Sequence, residues 1–203
     1  MKIRKANIQD AKNFIEIKNR LKFEYVNEKS TKGGFLLGTN EETYKKYIQN
    51  EIVLVAELNE KIVGFGIILK NESVKKSDIW QKRSSANWKV DINKFKNISC
   101  CYFEQLAFLP GHSRMVFSLC FEILQLAFKE HESLFTTTVY YPIINLAAVP
   151  FILRSGGEKI GKIDEEYPVI GKIVSDIYLI NKQSFDLNIV ESHRYNFLKK
   201  HEL

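Results

Sequence analysis

The sequence predicts an α+β fold: a single domain with a mixed, mostly antiparallel central sheet of six to seven strands and about four helices packed on it. Three observations lead there. Stretches with strand-like alternation and stretches with helical spacing follow one another in the order β-α-α-β-β-β-α-β-α-β-β. Two apolar runs, Ile52 to Glu57 and Lys61 to Leu69, are separated only by Leu58-Asn59-Glu60, the spacing of a hairpin. A third run ends at Pro110-Gly111 and is followed by a long apolar segment of helical periodicity. With 203 residues and 45% apolar composition the chain can bury a substantial core and is not a disordered one.

Each element has its own signal. Lys2 to Ala6 alternates charged and apolar residues as a first strand does. Asn7 and Asp10 form a capping pair, and Ala11, Phe14, Ile15, Ile17, Lys18 and Leu21 continue at helical spacing. Lys32 to Gly38 is a glycine-bounded loop, after which Thr39 or Asn40 caps a short helix reaching about Gln49. The hairpin follows, then a segment from 70 to 97 that fits neither period, then a strand over 98–109 and a helix from about Ser113 to Glu130. Leu134 to Tyr140 is rich in β-formers and reads as a strand. Ile144 to Ser155 reads as a helix stopped by Gly156-Gly157. Strands near 158–163 and 172–180 complete the domain over residues 1–183, leaving 184–203 as a C-terminal tail with a helical stretch.

Charge is concentrated in the segment 70–97, an insertion between the third and fourth strands. It holds eight Lys/Arg against three acids and so carries five of the chain's six net positive charges. Trp80, Trp88 and Phe95 are its aromatic residues, and no nucleic-acid-binding pattern accompanies them, so the expectation is a solvated insertion and no nucleic-acid partner. Cys100, Cys101 and Cys120 cannot all pair within one chain, and the start of the sequence lacks a secretory apolar region. With no run long enough to span a bilayer, these features place the protein in the cytoplasm. The four histidines lack ligand spacing, so no metal is expected.

The chemistry is concentrated in Phe103 to Ser118. A strand that delivers its end to a helix N-terminus makes an anion site, because the first-turn amides are unpaired and point outward. On a regular strand Glu104, Leu106 and Phe108 share one face, which places a carboxylate near that corner. A carboxylate there can remove a proton from an amine, and burial would raise its pKa toward the useful range.

Two patterns resemble the GNAT superfamily of acyl-CoA-dependent acyltransferases. The strand Glu104-x-Leu106-x-Phe108-x-Pro110 resembles the family's central strand, and Asn145-x-x-Ala148-x-x-Phe151 with Gly156 resembles its later helix. The resemblance runs from the first strand to about Ile180 and implies a GNAT-like domain that uses acetyl-CoA or another acyl-CoA as co-substrate. It implies an N-acetyltransferase acting by direct transfer to a small-molecule or peptide amine, with Glu104 as general base. The cofactor would lie against Leu106, Ala107, Phe108 and Leu109, against Ser113, Arg114, Met115, Val116, Phe117 and Ser118, and against Asn145, Ala148 and Phe151. A backbone N–H of the Phe108–Leu109 region would polarise the thioester carbonyl.

The family's Gly-x-Gly-x-Gly/Ala loop is degenerate here, since Val116 and Ser118 stand where glycines are usual, although Ser113 can cap the helix and Arg114 can meet a phosphate. Ile152 replaces the family's usual acid tyrosine, so Tyr140 and Tyr141 are the candidates for general acid. In the family the loop Lys32 to Gly38 and the hairpin Asp164 to Gly171 would shape the acceptor pocket. Asp164, Glu165 and Glu166 favour a cationic acceptor, whereas the basic insertion points to an acidic partner such as an acyl carrier protein. The alternatives are therefore a non-catalytic acyl-CoA-binding module of the same fold, or a transferase fed by an acyl carrier protein.

Overall fold

Local capping starts the two N-terminal helices. The Asp10 carboxylate accepts from the Asn7 amide at 2.7 Å while the Asn7 side chain accepts from the Gln9 amide at 3.0 Å, a reciprocal arrangement that opens α1 (Asp10–Arg20). Asn40 accepts from the Thr43 amide at 2.9 Å and starts α2 (Glu41–Asn50). The computed structural model describes residues 2–21, 30–31, 36, 38–167 and 171–190; most of the loop 32–38, the tip of the last hairpin and the tail beyond 190 lie outside them.

The other elements are β1 (Lys2–Lys5), β2 (Ser30–Thr31), β3 (Ile52–Leu58), β4 (Lys61–Leu69), α3 (Asn71–Lys76), α4 (Asp78–Gln81), β5 (Asn87–Trp88), β6 (Cys100–Phe108), α5 (Ser113–Glu130), β7 (Ser133–Tyr141), β8 (Ile144–Asn145), α6 (Val149–Arg154), β9 (Glu158–Tyr167), β10 (Gly171–Asn181) and α7 (Lys182–Val190). Eight strands form one sheet in the order β1-β3-β4-β6-β7-β10-β9-β5, antiparallel except where β6 lies parallel to β7. The strand beyond the expected seven is β5, contributed by the insertion, which also adds α3 and α4 to the helix count. In the β3–β4 hairpin Leu58 pairs directly with Lys61, so the turn is the two residues Asn59 and Glu60, with φ of 48° and 61°.

Two apolar layers sandwich the sheet. On the first face α1 and α2 pack through Phe14 and Tyr44; Phe14 stacks on Phe65 at 4.2 Å and meets Tyr44 edge-on at 5.4 Å. On the second face α5 buries Leu119, Ile123 and Leu124 against β3, β4 and β6. Gly66 makes that approach possible, since a Cβ there would stand 3.0 Å from Leu119 and 3.2 Å from Ile123.

The insertion is not a solvated excursion. Val74, Trp80 and Ile92 lie in the first-face core, because a segment that crosses a sheet face to reach its far edge must cover that face. The tail also begins later than 183. Phe185 on α7 is 2% exposed and packs 5.2 Å from the Phe128 ring, which makes this helix part of the domain. Phe185→Ala is expected to cost about 3–5 kcal/mol and to lower the melting temperature by roughly 10 °C in calorimetry; an unchanged transition would place α7 outside the cooperative unit. No helix among the described residues is long and apolar enough to cross a membrane.

Candidate active site

The central strand is bulged at the residue that matters. Ile67 of β4 pairs with Gln105 and Ile68 with Phe103, so Glu104 has no opposite number. One extra residue in a strand breaks the alternation of faces. Phe103, Leu106 and Phe108 therefore stay on the α5 face, while Glu104 and Gln105 both turn to the α1–α2 face. This corrects the expectation that Glu104 shares a face with Leu106 and Phe108. The carboxylate and the apolar pair lie on opposite sides of one strand.

Beside the bulge the sheet opens. β6 pairs with β7 only over Cys100 to Tyr102, and the last tie is Thr136, whose hydroxyl donates to the Phe103 carbonyl at 3.1 Å. Beyond it the two parallel strands part. The Leu109 amide donates to the Val63 carbonyl at 2.8 Å, which makes these residues a hydrogen-bonded pair of the β4–β6 ladder. By antiparallel alternation Leu106 and Phe108 then direct their amides and carbonyls away from β4, into the opening. The Phe108 N–H is thus the one of the Phe108–Leu109 pair that faces the gap. Gly64 seats the Phe108 ring, since a Cβ there would lie 2.4 Å from it.

On the first face, Glu104 is surrounded by phenols. Tyr47 of α2 hydrogen-bonds the carboxylate, and Tyr102 of β6 and Tyr167 of β9 lie close enough to feel its charge, as does Glu165 of β9. Burial and then the nearby Glu165 charge push the Glu104 pKa up to about 7, with the Tyr47 hydrogen bond opposing them. Burial, with the carboxylates beside it, raises Tyr167 to about 12 and Tyr102 well above the usual phenol, so neither is a proton donor near neutrality. Below them a polar chain locks the strand: the Tyr44 hydroxyl donates to Gln105 Oε1 at 2.9 Å, and Gln105 Nε2 donates to the Thr39 hydroxyl at 2.8 Å. The Tyr102 hydroxyl is 2.7 Å from that of Thr137.

On the second face the corner after β6 turns at Gly111, φ 86°, and α5 begins with His112 at the cap position and no side-chain cap. The expected cap Ser113 is instead the first helical residue. The Met115 amide bonds the His112 carbonyl at 2.9 Å, so the anion-facing amides are those just before it. Ala107, Met115 and Ser118 are buried, and Val116 and Phe117 are partly so.

Asn145 is not on a helix. It pairs in β8 with Thr31, and its side chain accepts from the Ala147 amide at 3.1 Å. Such a turn, with Pro150 fitted to a first helical turn, delays α6 to Val149 behind the cap Ala148. Phe151 packs with the α5 core. Tyr140 and Tyr141 are 46% and 59% exposed at the end of β7, with the Tyr140 ring under Lys162 at 4.4 Å and Lys159 at 5.3 Å.

No family model and no curated protein sequence matches the chain. Solved structures do. The crystal structure of Arabidopsis thaliana NAA60 in complex with acetyl-CoA aligns with a TM-score of 0.62 at 12% identity, over 90% of this chain and 98% of that one. The Escherichia coli ribosomal-protein-S18-alanine N-acetyltransferase aligns at 0.58 and 14%, over 89% and 92%. An acetyltransferase of GNAT family from Streptococcus pneumoniae aligns at 0.51 and 18%, over 88% and 96%. The chain has the GNAT fold. Within it, β6 is the central strand beside the split, and β9–β10 is the final hairpin.

Tyr47, Tyr102 and Tyr167 were not among the residues singled out in the sequence. The only trace of them was the aromatic content of α2, of the central strand and of the hairpin, which packing explains equally well.

Proposed function

We propose that this GNAT-fold protein is an acyl-CoA-dependent N-acyltransferase, with acetyl-CoA as donor and an amine as acceptor. The observation that carries the reading is Glu104, a half-buried carboxylate with a pKa of about 7 at the mouth of the β6–β7 split. An ammonium acceptor loses its proton to Glu104, directly or through a water, and the freed lone pair attacks the thioester carbonyl carbon. Negative charge builds on the carbonyl oxygen, where the Phe108 N–H is the available donor. The C–S bond breaks as the attacking nitrogen gives up its second proton, through water, to the departing thiolate, whose pKa of about 8.5, like that of cysteine, lets it leave without a protein acid. The amides at the start of α5 suit the donor's phosphates; the Arg114 side chain, expected to add a cation, lies outside the described side chains.

Two expected results test this. Acetyl-CoA at about 100 times its dissociation constant adds about 2.7 kcal/mol to the native state. For a chain of this size that is a rise in melting temperature of roughly 5–10 °C. An amine panel should then release free thiol. No shift with acetyl-CoA, longer acyl-CoAs or CoA sinks the reading. A shift without thiol release favours the non-catalytic binding module, for which the replacement of loop glycines by Val116 and Ser118 is the supporting observation. The carrier-protein reading is the weaker one, because Lys75 and Arg83, two of the eight cations that would dock it, turn inward onto Trp80.

A further inference from the structure

The insertion 70–97 leaves the foot of β4 and lies on the same face as Glu104. Trp80 and Ile92 pack with Tyr102 and Phe135 around a small apolar pocket, and Phe95 meets Phe135 edge-on at 5.1 Å. Two of its cations hold it together. Lys75 Nζ sits 3.7 Å above the Trp80 ring and donates to the Phe95 carbonyl, and Arg83 donates to the Trp80 carbonyl at 2.6 Å. The segment then reaches the far edge of the sheet, where Asn87 and Trp88 pair with Lys162 and Gly161, and the Lys89 amide donates to Ile160 at 2.7 Å. Gly161 is what allows the contact, since a Cβ there would stand 2.8 Å from the Asn87 carbonyl oxygen.

Two consequences meet at Glu104. Tyr102 joins the two regions: its ring walls the apolar pocket, its hydroxyl lies 2.7 Å from that of Thr137, and it feels the charge of Glu104 two residues further on. β9, anchored by the insertion at Gly161, carries Glu165 and Tyr167 to the same carboxylate four and six residues further on. A strand rises about 3.3 Å per residue, so that anchor is roughly 13–20 Å from the groups it steadies.

Resting on the transferase reading above, we infer that the insertion is the acceptor-side wall of the site: it holds Tyr102 and strand β9 around Glu104 and restricts the acceptor to a compact cationic amine, excluding an extended polypeptide. Beyond Tyr102, toward the β5 edge, the first face is covered by Trp80, Ile92 and β5, which leaves an extended chain no course along it. Phenol rings and Glu165 are the partners an ammonium group needs.

The test uses the full chain with acetyl-CoA. Simple alkyl and aralkyl primary amines are compared with tripeptides bearing a free N-terminus or a lysine, by thiol release and, without donor, by calorimetric binding. The expected result is at least a tenfold higher kcat/KM for the amines. Glu165→Gln should raise the amine KM about tenfold with the acetyl-CoA KM unchanged. Gly161→Ala, which pushes β5 off β9, should narrow the amine-to-peptide ratio several-fold. Peptides preferred by the native chain, or a ratio unmoved by Gly161→Ala in a protein that still melts cooperatively, would overturn the inference. Calorimetry separates the two readings. Amine binding that Glu165→Gln weakens supports the wall even where no thiol is released, and peptide binding that equals amine binding overturns it even in an active enzyme.

Discussion

Glu104→Gln is expected to lower turnover by 10²–10⁴-fold, the usual contribution of a positioned base, and at the same time to stabilise the fold above neutral pH. Both effects follow from one carboxylate. Its pKa is raised in the folded state, so the native protein binds that proton more tightly than the unfolded chain does. The stability this contributes is fully present below the unfolded carboxylate value and is lost as pH rises through about 7. At pH 8 the ionised, partly buried Glu104 therefore costs about 3 kcal/mol relative to a neutral group of the same shape. Glutamine escapes that cost while preserving size, so the variant should melt several degrees higher at pH 8 and show no advantage near pH 4.5. Wild-type kcat/KM should climb with pH through about 7 as Glu104 ionises. Measuring thiol release and melting curves across pH 5–9 checks both sides. A variant that keeps its activity removes Glu104 from the mechanism, and one that is less stable at pH 8 contradicts the burial that raises the pKa.

The periodicities that are long and uninterrupted in the sequence are those the structure reproduces closely. The α5 range, the β3–β4 hairpin and β7 all lie within a residue or so of their expected positions, because each buries one face over two or more turns or pairs of residues. What periodicity cannot show is an irregularity of one residue. The bulge at Glu104 changes nothing in composition, yet it moves the carboxylate to the opposite face from Leu106 and gathers it with tyrosines from α2, β6 and β9. The helix expected over 144–155 begins only at Val149 for a related reason. Asn145 at its expected start is satisfied by a local turn, and local side-chain bonding of this kind competes with helix initiation.

The charge of residues 70–97 is a poor guide to their burial, because lysine and arginine stems pack as well as solvate. Two of the segment's eight cations, Lys75 and Arg83, hold an indole in place. Its aromatic residues were the better guide to burial, and its distance from any recognisable motif hid the fact that it completes the sheet at β5.

Trp80→Ala is expected to be among the most destabilising single changes in the chain. The indole is 8% exposed, with Lys75 Nζ 3.7 Å and the Arg83 guanidinium carbon 5.0 Å from its ring centre. Truncation removes about 3–5 kcal/mol of packing and cavity energy, with a further 0.5–2 kcal/mol from the two cation–π contacts. Against a total stability of about 5–15 kcal/mol this is a large fraction, and the melting temperature should fall by roughly 10–15 °C. Because the wall reaches Glu104 through Tyr102 and β9, the loss should extend beyond stability. At a temperature where the variant is still folded, the KM for the amine should rise while the melting shift caused by acetyl-CoA persists, since the donor side proposed above rests on α5 and β6 rather than on the insertion. Hydrogen exchange should show the amides of Lys89 and of β9 near Gly161 losing protection before those of β4. A variant that melts like the wild type would mean that Trp80 lies in a segment outside the cooperative core. A variant that loses amine and donor binding together would mean that the two faces of the bulged strand are not independent, and that the insertion supports the whole site rather than its acceptor half.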